Sequence, residues 1–578
     1  VAASPGAAVG PAAVLRPAAA REAGSADDEQ ARVREGLDRA AGELDDVAGR
    51  LRGEGRADEA EVVETSALMA RDPSLVEAAV ALAAAPGTTA EAAIQAAAEQ
   101  SAAVLAALDE PTLALRAADV RAVGRRAAAA LTGTRSAPPA GAVLVADDLG
   151  PAEVADAAGT VAAIVLAAGG ATAHAAIVAR SLGVPLVAAA GPAVLELDDG
   201  APLAVDAGAG LVWPSPDPET AAAVAASAAR YTAERARDAA ERDLPAVTRD
   251  GRRITLLANA GTAEEIEAAL AAGAEGIGLL RTELAFLEAD EWPSEAAQRA
   301  VLAPMLRPLA GRVATVRTFD FGGDKTPSFL DAAEMGPLGT RGVRLSLAEA
   351  GVLDDQVRAI VQAAGEALLR VLVPMVTDAR ELEAVAGVVE RAWRELAPAM
   401  PRPLVGPMIE VPAAALGARR LAGPADFFSI GTNDLVQYTL AADRLAAGLV
   451  DAVAHHPAVL RLVSEVVEAA HEAGIPVDVC GEAAGDPDAA PLLLGLGVDE
   501  LSVSPARVGA TRRLVRGLDQ AQAARVAAQA LECATAAETA ALARSLQAGD
   551  EVGHGADGVV GPGPVVRADH DVGPTGRP

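Results

Sequence analysis

The chain has 578 residues, 51% of them apolar and only 2% aromatic, with two cysteines and a formal net charge of −32. That length allows three or four domains with cores of Ala, Val and Leu, which suits helices and parallel sheets better than an aromatic-rich sandwich. The charge argues against non-specific binding to nucleic acid or to an anionic membrane surface, and fits either a basic protein partner or solubility alone.

Residues 1–20 are small, apolar and punctuated by Gly and Pro, without the basic leader of a signal peptide. A charged, Ala-rich region follows to about residue 130. In it Val33, Leu37, Ala40, Leu44, Val47 and Leu51 recur at helical spacing. Further helices are predicted over 74–84 and 90–108, the second with Thr89 as N-cap, and Pro73, Pro86 and Pro111 divide the region into short pieces. From Gly141 the pattern changes to short apolar runs at 142–146, 162–167 and 185–189 separated by helical stretches, which predicts a compact α/β unit ending near Trp213–Pro214. The uncharged stretch 157–179 is interrupted by Gly169, Gly170, Thr172 and His174, so it reads as strand, loop and helix rather than as a membrane span. A charged helix over 217–242 is a candidate linker.

Eight short apolar runs then begin at residues 254, 276, 313, 369, 404, 427, 477 and 501, mostly with helical stretches between them. That alternation predicts a closed (β/α)8 TIM barrel, with an open doubly wound sheet as the alternative. After Leu546 the Gly/Pro-rich tail has no periodicity and reads as disordered, its His554 and His570 inert. Cys480 and Cys533 cannot form a disulfide framework, which implies a reducing, cytoplasmic setting.

In a barrel of this kind the reactive groups lie just beyond the C-terminal ends of the strands. Asn259, Arg281, Arg317, Asp320, Glu410, Asn433, Asp434 and Cys480 fall at such positions. Arg281, Arg317, Arg341 and Arg444 form a cationic set whose guanidinium forks match phosphate and carboxylate oxygens. Glu410 and Asp434 are hard oxygen donors suited to Mg²⁺. Together they predict a small, phosphorylated, highly anionic substrate, although any one arginine alone reads better as a surface ion pair. Gly322–Gly323–Asp324–Lys325 is a weak phosphate-contact signal, and Cys480 is either a small buried residue or a proton donor.

In GGATAHAAIVAR (169–180) a glycine turn leads into a helix whose first turn carries His174, with Thr172 beside it. Free N–H groups and the positive end of the helix favour an anion there. Neutral imidazole is a good nucleophile, and its phosphorylated form can pass the group on. A histidine at a helix start is otherwise a cap or a core residue.

This string resembles the phosphohistidine signature shared by enzyme I of the phosphoenolpyruvate-dependent sugar phosphotransferase system, pyruvate phosphate dikinase and phosphoenolpyruvate synthase. The usual Arg-Thr-Ser-His is here Ala171–Thr172–Ala173–His174. AEGIGLLRTELAF (274–286), VRTFDFGGDK (316–325), GPMIEVPAAA (406–415), DFFSIGTNDLVQYTLAADR (426–444) and CGEAAGD (480–486) are similar to the barrel motifs of enzyme I. So are ASPGAAVG (3–10) for its opening strand and LRAADVRAVGRR (115–126) for its helical subdomain. Two local departures are Ser66, where the family often has histidine, and Met335–Gly336–Pro337 before Leu338.

The resemblance implies a multidomain α/β architecture. A phosphohistidine domain (1–20 plus 135–215) would carry an inserted helical subdomain (21–134) that receives the carrier protein HPr. A linker helix (216–248) and a phosphoenolpyruvate-binding barrel (249–545) would follow, then the tail (546–578). It further implies that Arg281, Arg317, Arg341, Asn433, Asp434 and Arg444 bind substrate and that Glu410 and Asp434 bind Mg²⁺. Cys480 would donate a proton, and His174 would carry phosphate from phosphoenolpyruvate to HPr. Homodimerisation through the barrel domain is implied as well. A dikinase or synthase would need a nucleotide-binding domain for which this sequence shows no motif, and a regulatory paralogue would not need a complete site.

Overall fold

A computed structural model describes residues 1–16, 21–54, 56–106, 111–133, 138–170, 173–322, 326–330, 336, 338–442 and 453–547. The chain divides into two compact units, with the boundary between Ala233 and Glu234 inside the helix Pro218–Glu241. No helix among the described residues is long and apolar enough to cross a membrane.

The first unit contains strands β1 (Ala2–Ser4), β2 (Ala7–Val14), β3 (Val143–Ala146), β4 (Ala163–Leu166), β5 (Leu186–Val187), β6 (Pro202–Asp206) and β7 (Leu211–Pro214). They form one sheet in the order β1-β5-β4-β3-β2-β6-β7. The central pairs β2–β3, β3–β4 and β4–β5 are parallel, whereas β1, β6 and β7 add antiparallel edges. The sequence reading gave the alternating strands and helices of the centre but not the β6–β7 hairpin, whose strands are short and each carry a proline at one end. Alternate residues of the strands feed two cores. Leu144, Ile164, Leu166 and Leu186 pack with the helices Pro151–Ala157 and His174–Leu182, while Val143, Val145 and Val165 pack on the opposite face with Leu203 and Val205.

Five helices lie between β2 and β3: Ala26–Gly53, Ala57–Ala70, Pro73–Ala83, Ala90–Ala106 and Pro111–Thr132. The first buries the predicted stripe of Val33, Leu37, Ala40, Leu44, Val47 and Leu51. Ser25 caps it by accepting from the Asp28 N–H, and acids in its first turn and arginines in its last turn complement the helix dipole. Pro73 sits in the first turn of its helix behind an Asp72 cap, where the missing N–H costs nothing. Thr89 accepts from the Ala92 N–H, as the cap reading required. The bundle core is rich in alanine, and at Gly124 an added Cβ would come within 2.5 Å of the Ala98 Cβ.

In the second unit β8 (Thr255–Ala260), β9 (Gly276–Arg281), β10 (Val313–Arg317), β11 (Leu368–Val373), β12 (Leu404–Ile409), β13 (Phe428–Ile430), β14 (Val477–Val479) and β15 (Glu500–Val503) pair in parallel and close into a barrel, β15 returning to β8. The open-sheet alternative is thereby excluded. Helices such as Ala379–Leu396 alternate with the strands; it begins with a capping box of Asp378 and Glu381 and buries Leu382, Val385, Val389 and Ala392. Strand residues separate with period two. Ala314, Val316, Leu369, Val371, Ile430, Val477, Val479, Leu501 and Val503 belong to the main core with the surrounding helices. The residues between them face the barrel interior, where Leu279, Leu372, Met408, Phe427 and Cys480 cluster.

Glycine at position 406 is required by the approach of β13. A Cβ there would lie 2.8 Å from the Phe427 ring and closer still to the Phe427 carbonyl. Gly406→Ala is expected to destabilise the barrel by about 1–3 kcal/mol through overpacking. The check is a lower urea midpoint followed by the fluorescence of Trp292 and Trp393.

Candidate active site

The C-terminal ends of the barrel strands surround a cavity of about 980 Å³. Asn259, Arg281, Arg317, Asp320, Arg341, Glu410, Asn433, Asp434 and Cys480 all line it. Several strands run one or two residues beyond the apolar runs, so Asn259, Arg281 and Arg317 are the last or near-last residues of β8, β9 and β10 rather than loop residues. Arg444 lies outside the described residues, as do Ala171, Thr172, 323–325, Met335, Pro337 and the tail with His554 and His570.

A buried charge cluster forms one wall. Arg317 Nη2 donates to Glu283 Oε1 at 2.5 Å, and its Nη1 is 3.4 Å from Asp320 Oδ2. Arg341 grips Asp320 with both arms, at 3.0 and 2.7 Å, and reaches to 3.4 Å from Asp434. Burial opposes the charge of both guanidinium groups. The acids outweigh it, Glu283 and Asp320 for Arg317 and Asp320 and Asp434 for Arg341, and hold both pKa values above the ordinary one. Glu410 accepts from the Met375 N–H at 2.7 Å. Met375 has φ +59°, a left-handed conformation that costs a non-glycine residue about 1–3 kcal/mol and that clusters at functional sites. Gly431 leaves the Glu410 carboxylate clear, since a Cβ there would sit 2.8 Å from Oε2. Burial, then Asp434 and Asp320, push the Glu410 carboxyl well above the usual carboxylate range.

The remaining wall is set by polar scaffolding. Asn259 Nδ2 donates to the Cys480 carbonyl at 2.9 Å while its Oδ1 accepts from Ser502 at 2.7 Å. Asn433 Oδ1 accepts from the Glu482 N–H at 3.0 Å, which fixes the turn after Cys480. Among the described residues Arg281 has no ion-pair or hydrogen-bond partner, so its guanidinium is available to a ligand in the cavity. Burial pushes the Cys480 thiol up to about 12, with Asp478 adding to it, so the thiol keeps its proton at neutral pH.

In the first unit His174 opens the helix His174–Leu182, after the left-handed Gly169. Its Nδ1 lies 3.0 Å from Asp119 Oδ2, close in distance but outside hydrogen-bond geometry, and Arg116 Nη1 approaches the same Asp119 oxygen at 3.5 Å. Asp119, on the helix Pro111–Thr132, is only 5% exposed against 20% for His174. Sequence reasoning quoted the stretch 115–126 without giving Asp119 a role; the available signal was a lone acid between the apolar positions Ala118 and Val120. Glu283, which anchors Arg317, was missed in the same way.

The arrangement suits a compact anion carrying phosphate and carboxylate groups. Its oxygen donors also suit a divalent cation, because positive charge would relieve the repulsion among Glu410, Asp434 and Asp320 that already disfavours ionised Glu410. Among the described residues no three His, Cys, Asp or Glu side chains form a ready-made metal cage. Both cysteines are free, Cys480 buried and Cys533 partly exposed. At pH 8 a thiol reagent is expected to modify Cys533 quickly and Cys480 only on unfolding; Cys533→Ser should remove the fast phase.

Comparison with known proteins gives three consecutive family matches: the N-terminal domain of PEP-utilising enzymes over residues 1–116, their mobile domain over 138–210 and their PEP-binding domain over 235–520. A multiphosphoryl transfer protein of Xanthomonas campestris is 42% identical over 456 residues, covering 77% of this chain and 54% of that protein. This chain thus spans about half the length of that relative. The phosphoenolpyruvate-protein phosphotransferase of Geobacillus stearothermophilus is 37% identical over 76% of this chain and 78% of its own length. That of Staphylococcus carnosus is 33% identical over 89% of this chain and 92% of its own. The chain belongs to the phosphoenolpyruvate-protein phosphotransferase family of PEP-utilising enzymes.

Proposed function

We propose that this protein is an enzyme I: it takes the phosphoryl group of phosphoenolpyruvate onto His174, releases pyruvate, and passes the group to a histidine of the carrier protein HPr. The observation that carries this reading is the convergence of Arg281, Arg317, Arg341, Glu410, Asn433, Asp434 and Cys480 on one cavity.

In this reading Arg281, with no competing partner among the described residues, takes the phosphate, and Arg317 and Arg341 complete a cationic wall around it. Glu410 and Asp434 would hold Mg²⁺, which supplies charge neutralisation on the phosphoryl oxygens. The protein's own part is mainly positioning and electrostatics. His174 attacks phosphorus through Nε2, and the bond between phosphorus and the enol oxygen breaks. As the ring becomes cationic, Asp119 faces Nδ1 and stabilises the charge, while the helix N-terminus favours the new anion. Cys480 gives its proton to the methylene carbon of enolpyruvate, a task suited to a thiol that stays protonated at neutral pH. Transfer requires His174 to reach the barrel and then the carrier, and the helix Pro218–Glu241, with Val224 as its one buried residue, is the proposed hinge. The helical insert would dock HPr, the barrel would pair with a second copy, and two unpaired cysteines fit a cytoplasmic setting.

Mass spectrometry after mixing the protein with phosphoenolpyruvate and Mg²⁺ is expected to find one phosphate on the peptide 169–180. His174→Ala should abolish that phosphate while phosphoenolpyruvate binding persists; acid-labile label surviving in this variant would sink the assignment. Asp119→Asn keeps the shape and removes the charge, and should slow phosphorylation about 10²-fold in rapid-quench experiments with little change in substrate affinity.

A further inference from the structure

The phosphoryl-transfer chemistry uses the rim of the barrel, yet polar side chains continue downward through its interior. Arg370 on β11, Ser429 on β13, Asp478 on β14 and Glu500 on β15 all occupy interior positions, alternating with residues of the outer core. At the upper end Ser429 Oγ lies 3.2 Å from Cys480 Sγ and 2.8 Å from Asp478 Oδ2. Asp478 and Glu500 are register partners on neighbouring strands, so their side chains share a face. Glu500 opens β15, at the end of the barrel opposite the rim, and Arg370 forks onto it at 2.5 and 3.0 Å while lying over the Phe427 ring. The Arg370 and Glu500 side chains are 11% and 9% exposed, whereas Ser429 is fully sealed. The run therefore leads from the slightly exposed Arg370–Glu500 pair to the Cys480 sulfur.

An acid this deep in a barrel normally lined by Val, Ile and Leu calls for a reason. Asp478 Oδ1 has no hydrogen-bond partner among the described residues. Burial and then Glu500 push its carboxyl well above the usual carboxylate range, although Ser429 and Arg370 pull the other way. A carboxyl that retains its proton is a proton store. Cys480 needs one, because each turnover leaves it as a thiolate in surroundings that disfavour thiolate, beneath a cavity filled by product.

We infer that Ser429 and Asp478 form a relay that returns a proton to Cys480 from inside the barrel. The inference rests on the proposed phosphotransfer, in which Cys480 protonates enolpyruvate. In that step the Sγ–H bond breaks, the C=C electron pair forms the new C–H bond, and the enolate oxygen becomes the ketone of pyruvate. The thiolate then takes the Ser429 hydroxyl proton as Ser429 Oγ takes the carboxyl proton of Asp478. A water beside the Arg370–Glu500 pair gives its proton to Asp478 and leaves to bulk solvent as hydroxide, which buffer neutralises. Ser429 and Asp478 touch no substrate atom and act through Cys480.

The full-length protein, phosphoenolpyruvate, Mg²⁺ and carbon-labelled pyruvate in heavy water provide the test, with no carrier present. Passage of carbon label into phosphoenolpyruvate needs only a thiolate that returns the same proton. Entry of deuterium into the pyruvate methyl group needs the thiol to exchange with solvent. The ratio of deuterium entry to carbon exchange is expected to fall at least about tenfold in both Asp478→Asn and Ser429→Ala. A ratio unchanged from the parent protein in both variants, including the case in which the two rates drop in parallel because the site is merely disturbed, would overturn the relay. Absence of carbon exchange and of His174 labelling in the parent protein would instead overturn the phosphotransfer reading beneath it.

Discussion

The site depends on a cluster of opposite charges sealed at the rim of a barrel. Arg317 and Arg341 are kept ionised by Glu283, Asp320 and Asp434 although burial opposes it. Bringing such charges out of water is expensive, and only near-complete mutual pairing repays it. The arginines are therefore arranged before any substrate arrives, so little reorganisation is left for the moment of reaction. The cost of that preparation is visible in Glu410, whose ionised form is disfavoured by its acidic neighbours, and in the left-handed backbone of Met375 that donates to it. The cluster is not a set of stabilising ion pairs that happens to lie near a cavity. It is an incomplete charge pattern, which in the proposed function a phosphorylated anion and a divalent cation would complete.

The histidine-bearing unit solves a smaller version of the same problem. In the proposed transfer the helix start would supply partial positive charge for a phosphate, and Asp119 would supply negative charge to the far side of the ring. The two influences act on different atoms of His174, so in that reading Nδ1 faces Asp119 while Nε2 is left to react.

Much of this was legible in the chain. Most of the short apolar runs of the barrel are followed by a polar residue, and Arg281, Arg317, Glu410 and Cys480 were expected at the rim on that ground. Their motifs then carried the family resemblance, and the family match agrees with it. What escaped has a common physical origin. Asp119 meets His174 only because a helical insert folds back beside the loop after β4. Glu283 gains its meaning from Arg317 on the next strand. Asp478 lies in the strand expected from residue 477, but its neighbours Ser429 and Glu500 come from other strands of the closed barrel. The β6–β7 hairpin consists of strands too short to show an alternating period, and it is fixed by pairing with β2 from the start of the chain. Contacts between distant segments leave no local period to read.

The alanine-rich bundle has a consequence for how this protein can change. Buried alanines lose no rotamer entropy on folding and let helices approach closely, as at Gly124 against Ala98. Such an interior tolerates almost no enlargement, so variation is channelled to the outward faces of its helices. Residues such as Leu68, which is exposed on the helix Ala57–Ala70, are free to drift without disturbing the packing beneath. The bundle thus behaves as a rigid mould with an editable skin: recognition of a new partner could evolve there while the geometry that holds Asp119 against His174 stays as it is.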